Sequence, residues 1–102
     1  MFKMNEVSVI DEGNILRLIK PLDGKTEIIF DFEKITGREL VKIKTRAQRE
    51  DKDMMIPSLS PVYLAMVGAK AADMRYDDVL NLSGADFTAF TSRVSRFLNG
   101  MD

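Results

Sequence analysis

The chain has 102 residues, a formal net charge of −1 at pH 7, and neither cysteine nor histidine. Because thiols and imidazoles are absent, disulfides, thiolate metal sites and catalysis by a histidine base are excluded, which argues against an enzyme. The near-neutral charge offers no general attraction to nucleic acid or to an anionic membrane. We expect neither a membrane span nor a signal peptide, since the apolar runs are too short and the N-terminus is too charged.

The N-terminal third predicts a flexible arm followed by a β-hairpin. Residues 1–13 mix charged and apolar groups without a clear period, which indicates a loose arm. Residues 14–32 contain two runs rich in Ile, Leu and Phe, separated by a segment in which Pro21, Asp23 and Gly24 favour a turn. Because a lone two-stranded hairpin is marginal in water, we expect helices to cover one of its faces.

Three main helices are predicted, at residues of about 36–50, 60–72 and 83–99. Each begins with a threonine or serine that can accept a hydrogen bond from a backbone N–H of the first turn. The middle helix is apolar nearly all round, which is typical of a central, buried helix. The sequence therefore predicts an α+β fold over residues 14–102, in which an N-terminal β-hairpin packs on a small bundle of three main α-helices.

The last predicted helix carries four large apolar side chains at three- and four-residue spacing, which places them on one face. These residues are Phe87, Phe90, Val94 and Phe97. Burying each contributes about 1.5–3 kcal/mol, so exposing all four would forfeit about 6–12 kcal/mol. A whole domain is stable by only about 5–15 kcal/mol. We therefore predict that the stripe belongs to the chain's own core, unless an obligate oligomer buries it between subunits.

The connector between the first two predicted helices contains apolar residues where polar ones are expected. They are Met54, Met55, Ile56 and Leu59. Flexible methionine side chains suit an adaptable binding surface, which makes these four residues candidates for partner binding. The alternative interpretation, which is the favoured one, is that the connector packs beneath the helices as an extension of the core.

The first predicted helix carries a basic face, which is a second candidate for partner binding. Its residues are Arg38, Lys42, Arg46 and Arg49. A nucleic-acid footprint is one interpretation, but no aromatic residues are interleaved with the cations and the rest of the chain is net acidic. A solvated face or an acidic protein partner is therefore favoured over nucleic acid.

The middle helix has a face of small residues that allows another helix to come close. The residues are Ala65, Gly68, Ala69 and Ala72. Glycine costs about 1 kcal/mol relative to alanine inside a helix, which indicates that close approach matters at Gly68. This face is the candidate surface for self-association into a homo-oligomer.

Two motifs resemble catalytic or metal sites but fail on their spacing and context. The "GKT" at residues 24–26 lacks the earlier glycine and the following helix of a phosphate-binding loop. The "DKD" at residues 51–53 lacks the later glycine and glutamate of a calcium-binding loop. The sequence therefore predicts no catalytic residue, no cofactor, no metal site and no enzymatic activity.

Two long stretches resemble the phage tail assembly chaperones, in particular the small family of Mu-like and P2-like tailed phages and prophages. The first is "LRLIKPLDGKTEIIFDFEKITGRELVKIK", in which a hairpin with a "KP" turn leads into a capped helix. The second is "AMVGAKAADMRYDDVLNLSGADFTAFTSRVSRFL", in which a small-residue helix, a short connector and a terminal helix ending in "FL" follow one another. Together they cover most of residues 15–98.

The resemblance implies a non-enzymatic role. Such chaperones bind the long helical tape measure protein, keep it soluble and assist the assembly of tail tube subunits around it. They act in the cytoplasm of the bacterial host and are absent from the mature virion. Two other interpretations remain open: a small nucleic-acid-binding or regulatory module that uses the basic face, and a structural subunit of a phage tail or neck.

Overall fold

A computed structural model describes residues 14–100, so the arm predicted for residues 1–13 lies outside the described residues. The elements in chain order are β1 (Ile15–Leu22), β2 (Lys25–Ile29), α1 (Gly37–Glu50), α2 (Pro61–Ala71), α3 (Tyr76–Leu80) and α4 (Gly84–Leu98). The predicted α+β fold, an N-terminal antiparallel hairpin followed by helices, is confirmed. Within residues 14–100, no helix has the length and apolar character needed to cross a membrane.

The hairpin turns at Asp23 and Gly24, as the sequence predicts. Both residues have positive φ, 50° and 84° respectively, which is the requirement of a two-residue type I′ turn and matches the twist of paired strands. The second strand ends at Ile29, short of the predicted boundary at residue 32. The chain leaves the hairpin at Asp31, whose N–H donates to the carbonyl of the last residue of α2, and Phe32 then begins a separate 3-10 turn.

The pairing of β1 with β2 contains a bulge. Arg17 faces Glu27 and Leu22 faces Lys25, so the four residues of β1 between these pairs lie opposite a single residue of β2. Pro21 lies in this bulge and not in the turn, at a place where its missing N–H costs no ladder hydrogen bond. The extra residues also turn backbone N–H groups of β1 away from β2.

The carboxylate of Asp86, in the first turn of α4, binds the bulge. Ile19 N donates to both carboxylate oxygens at 2.9 and 3.1 Å, and Lys20 N donates to Oδ2 at 3.0 Å. The hydroxyl of Ser83, which also caps α4, donates to Oδ2 at 3.1 Å. Asp86 is only 1% exposed. The two backbone donors, helped by Ser83 and opposed by burial, lower the pKa of Asp86 below its ordinary value.

The central helix α2 packs closely against α4 at Gly68. A Cβ atom built on Gly68 would overlap the ring of Phe90 and would lie 2.8 Å from Val94 Cγ2. Both of these α4 residues are fully buried. The close helix approach predicted at Gly68 is therefore made within the chain, by α4.

This packing corrects the self-association predicted for the small-residue face of α2. Ala65, Gly68 and Ala69 are buried in the chain's own core, and Ala72 is half-buried just beyond the end of the helix. Because α4 occupies the space in front of Gly68, a second copy of the chain cannot pack there without displacing α4.

The apolar stripe of α4 belongs to the core, as predicted. Phe90 and Val94 are fully buried, and Phe87 packs against the core from its edge. Phe97 stacks on Phe32 with the ring centroids 4.4 Å apart. The stripe therefore joins α4 both to α2 and to the segment that follows β2.

We expect Gly68→Ala to destabilise the fold by about 1–3 kcal/mol, because the added methyl group overpacks the contact between α2 and α4. At an unhindered helix position the same change stabilises by up to about 1 kcal/mol, so the sign of the effect reports the close approach. Urea-induced unfolding measures the free energy. Gly37→Ala is the matched control, since nothing lies within 4 Å of a Cβ atom there. Similar effects of the two substitutions would contradict the packing.

We expect Asp86→Asn to lower the melting temperature by several degrees at neutral pH, because an amide keeps only one of the two acceptor oxygens. The folded-state pKa lies below the unfolded value of about 3.9. The carboxylate's contribution is therefore fully present above that pH and is lost as the pH falls through the folded-state pKa. Wild type and variant should converge in acid, as followed by circular dichroism. The exposed Asp53→Asn control should match wild type throughout, and a pH-independent difference for Asp86→Asn would refute the assignment.

Candidate binding surfaces

The connector between α1 and α2 is anchored at both ends. Asp51 N donates to the Ala47 carbonyl at 2.8 Å, and the Ser60 hydroxyl donates to Asp51 Oδ2 at 3.1 Å. Ser60 Oγ also accepts a hydrogen bond from Tyr63 N at 3.3 Å and so caps α2, as predicted. Since Ser60 is buried, the connector is a closed loop with a fixed base.

Three apolar side chains of the connector extend into solvent. Met55 is 89% exposed, Leu59 70% and Ile56 56%. A 3-10 turn over Pro57–Leu59 fixes the spacing between Ile56 and Leu59. Met54 is half-buried and packs against the core. The four predicted residues therefore behave differently. Met54 packs as an extension of the core, whereas Met55, Ile56 and Leu59 form an exposed surface that we term the connector patch.

The connector patch borders a shallow pocket with an acidic rim. Asp51, Asp53 and Pro61 line the pocket together with the patch residues, around a volume of about 300 Å³. The Asp53 carboxylate is exposed, whereas that of Asp51 is engaged by Ser60. The combination suits an apolar side chain of a partner, with a basic group next to it.

The basic face of α1 is exposed along its whole length. Its four predicted cations, here termed the basic stripe, are Arg38, Lys42, Arg46 and Arg49. None of them forms an ion pair with another of residues 14–100. Ile43 and Ala47, on the inward side of the helix, are buried against the core. The stripe is therefore a row of cations without ion pairs to the described residues, on a helix that is anchored to the core.

A groove lies beside the basic stripe, and the sequence pattern does not predict it. Lys42 and Arg46 of α1 line the groove. Lys70, which belongs to α2, and Arg75, the residue before α3, line it as well. Tyr76 also lines the groove, and burial, as the largest cause, raises the pKa of this phenol. Its hydroxyl therefore stays protonated at neutral pH and is able to donate a hydrogen bond.

Carboxylates partly balance the cations of this groove. Glu39 Oε1 lies 4.0 Å from Lys70 Nζ, and Asp77 is exposed in the groove lining. Four cations and two carboxylates line the groove, so its charge is net positive. Within residues 14–100 there is no group of three or more acidic side chains placed to hold a metal ion.

We expect Ser60→Ala to destabilise the fold by about 1–2 kcal/mol, because it removes the cap of α2. It also removes the hydrogen bond to Asp51, so amide hydrogen exchange across residues 52–59 should become faster than in wild type. Chemical denaturation and mass-detected exchange measure the two effects. Ser58→Ala, exposed in the same connector, is the matched control and should change neither. A loss of stability without faster exchange in the connector would argue against its anchoring by Ser60.

Comparisons with known proteins identify no relative of this chain. No family model, curated protein or solved structure matches the chain. The features that bear on function are therefore the two surfaces and the sequence pattern. Of these, the connector patch and the basic stripe supply the physical chemistry, and the pattern supplies a candidate class of protein.

Proposed function

We propose that the chain is a non-enzymatic phage or prophage tail assembly chaperone, which binds the tape measure protein, keeps it soluble and assists tail tube assembly. The proposal combines the resemblance over most of residues 15–98 with the exposed apolar surface of the connector. It places the protein in the cytoplasm of the bacterial host and outside the mature virion.

The connector patch is the observation that carries this proposal. Burying each of its side chains against a partner contributes about 1.5–3 kcal/mol, and the fold leaves all three exposed although Met54 beside them packs inward. Apolar side chains clustered on an exposed loop are typical of a protein interaction site. A helical client presents apolar residues at three- and four-residue spacing, which suits a short row of side chains.

The anchoring of the connector adds to the argument. Because Ser60 and Asp51 close the loop at its base and a 3-10 turn spans Pro57–Leu59, the backbone that carries the patch is constrained before a client arrives. A preorganised surface loses less conformational entropy on binding than a flexible one. A chaperone that must capture a long, aggregation-prone helix benefits from such a surface, since each encounter presents the same three side chains.

We expect co-expression with the tape measure protein of the same phage to raise the soluble fraction of that client and to yield a co-purifying complex. The triple substitution Met55→Ser, Ile56→Ser and Leu59→Ser should reduce the recovered client at least about tenfold, equivalent to about 1.4 kcal/mol. The measurement is affinity purification followed by quantification of both chains.

The matched control replaces three exposed apolar residues of other elements, by Ile19→Ser, Ile29→Ser and Leu80→Ser. This variant should recover the client as wild type does. Undiminished recovery by the connector variant, or an equal loss with the control, would remove the connector patch from the proposal. A client that stays insoluble with the wild-type chain would contradict the chaperone function itself.

A further inference from the structure

The basic stripe of α1 is a second binding surface, separate from the connector patch. We propose that it binds an acidic helix of a protein partner, whose carboxylates recur every three or four residues along one face. The proposal goes beyond the chaperone function, because it requires only the geometry and charge of α1 and holds whether or not the connector patch binds a client.

The spacing of the stripe matches a helix laid alongside it. From Arg38 to Arg49 the axis rises about 16 Å, and the four cations lie within about 80° of the helix circumference. They therefore form a narrow row about three turns long. A partner helix with glutamates at the same spacing of four, four and three residues places one carboxylate near each cation.

The charges around the stripe favour discrete pairing. Some of the other surface cations are already paired, as in Lys34 with Asp73 at 3.1 Å and Arg75 with Asp78 at 3.7 Å. Other lysines without ion pairs are dispersed over the hairpin, another face of α1 and the connector. They are Lys20, Lys25, Lys44 and Lys52. What distinguishes the stripe is thus that its free cations share one face at helical spacing.

The groove beside the stripe extends this surface at its middle. Lys42 and Arg46 are shared by the stripe and the groove, and Tyr76 lines the same groove. A carboxylate that reaches past Lys42 and Arg46 meets a neutral hydrogen-bond donor as well as two cations. Charge-assisted hydrogen bonds of this kind are about twice as strong as neutral ones.

Two features favour a protein helix over nucleic acid. Val41 is 65% exposed next to Arg38 and Lys42 on the solvent side of α1, so the surface offers an apolar contact that a phosphate backbone does not use. Carboxylates also border the stripe, since Glu39 and Asp77 line the groove. They repel a continuous chain of phosphates, whereas a helix with spaced glutamates leaves room for them.

The test uses two synthetic fluorescein-labelled helical peptides of identical composition. In one, glutamates recur at spacings of four, four and three residues, and in the other they are distributed around the helix. Fluorescence anisotropy with the full chain should show the first peptide binding at least about tenfold more tightly than the second. Its affinity should fall as salt is raised from about 0.05 to 0.2 M.

The variants assign the binding to the stripe. Replacement of Arg38, Lys42, Arg46 and Arg49 by glutamate should weaken binding of the first peptide by more than tenfold. The matched control replaces Lys20, Lys25, Lys44 and Lys52 by glutamate, which changes the net charge equally, and should bind within about threefold of wild type. If circular dichroism shows that the stripe variant is unfolded, glutamine replacements of the same four residues serve instead, with the same expected loss.

Three outcomes would overturn the proposal. Equal affinity for the two peptides, or equal losses in the stripe and control variants, would mean that only diffuse electrostatic attraction acts. Tighter binding of a duplex DNA or single-stranded RNA oligonucleotide than of the first peptide, lost in the stripe variant, would assign the surface to nucleic acid. None of these results bears on recovery of the tape measure protein, so the two proposals fail independently.

Discussion

The close approach of α2 and α4 at Gly68 is the constraint on which the rest of the structure depends. Because this position has no side chain, the ring of Phe90 and the methyl groups of Val94 lie against the backbone of α2 and are fully buried. A larger residue would push α4 outward. Since Asp86 is on the same helix, its carboxylate would move away from the bulge of β1. The position of the hairpin therefore follows from a glycine in the central helix.

With α4 held in place, the domain buries its own core and leaves a defined apolar surface outside. Asp86 and Arg93 of α4 both hold β1, the latter by donating to the Ile15 carbonyl at 2.9 Å. The connector patch is not a consequence of loose packing, because Met54 at its edge joins the core while the next two residues and Leu59 turn outward on an anchored loop. Apolar side chains grouped on an anchored loop outside a well-packed core are typical of an interaction site, which is why the proposed function assigns a partner to them.

Local chemistry made much of this fold predictable. The serine and threonine caps, the turn at Asp23 and Gly24 and the buried stripe of α4 all follow from neighbouring residues, and the structure confirms them. Contacts between distant parts of the chain were not predictable in this way. The small-residue face indicated a close helix but not which one, so self-association was wrongly assigned to it. In sequence Asp86 resembles an ordinary capping residue, because nothing local indicates that a bulge in β1 will face it.

The two candidate surfaces differ in the force through which each would bind a partner. Along the chain they also follow one another in a fixed order, the charged side chains of α1 first and the apolar side chains of the connector after them. The connector patch gains free energy by removing apolar area from water, which acts only at contact. For the partner proposed above, attraction by the basic stripe would extend over about 8–10 Å at moderate salt and would steer and align that partner before contact. The stripe ends at Arg49, just before Asp51, whose carboxylate anchors the connector. A helical partner long enough to engage both proposed surfaces would meet charge along α1 and apolar side chains beyond the end of that helix. Such an arrangement fixes the direction in which the helix lies, which either surface alone does not.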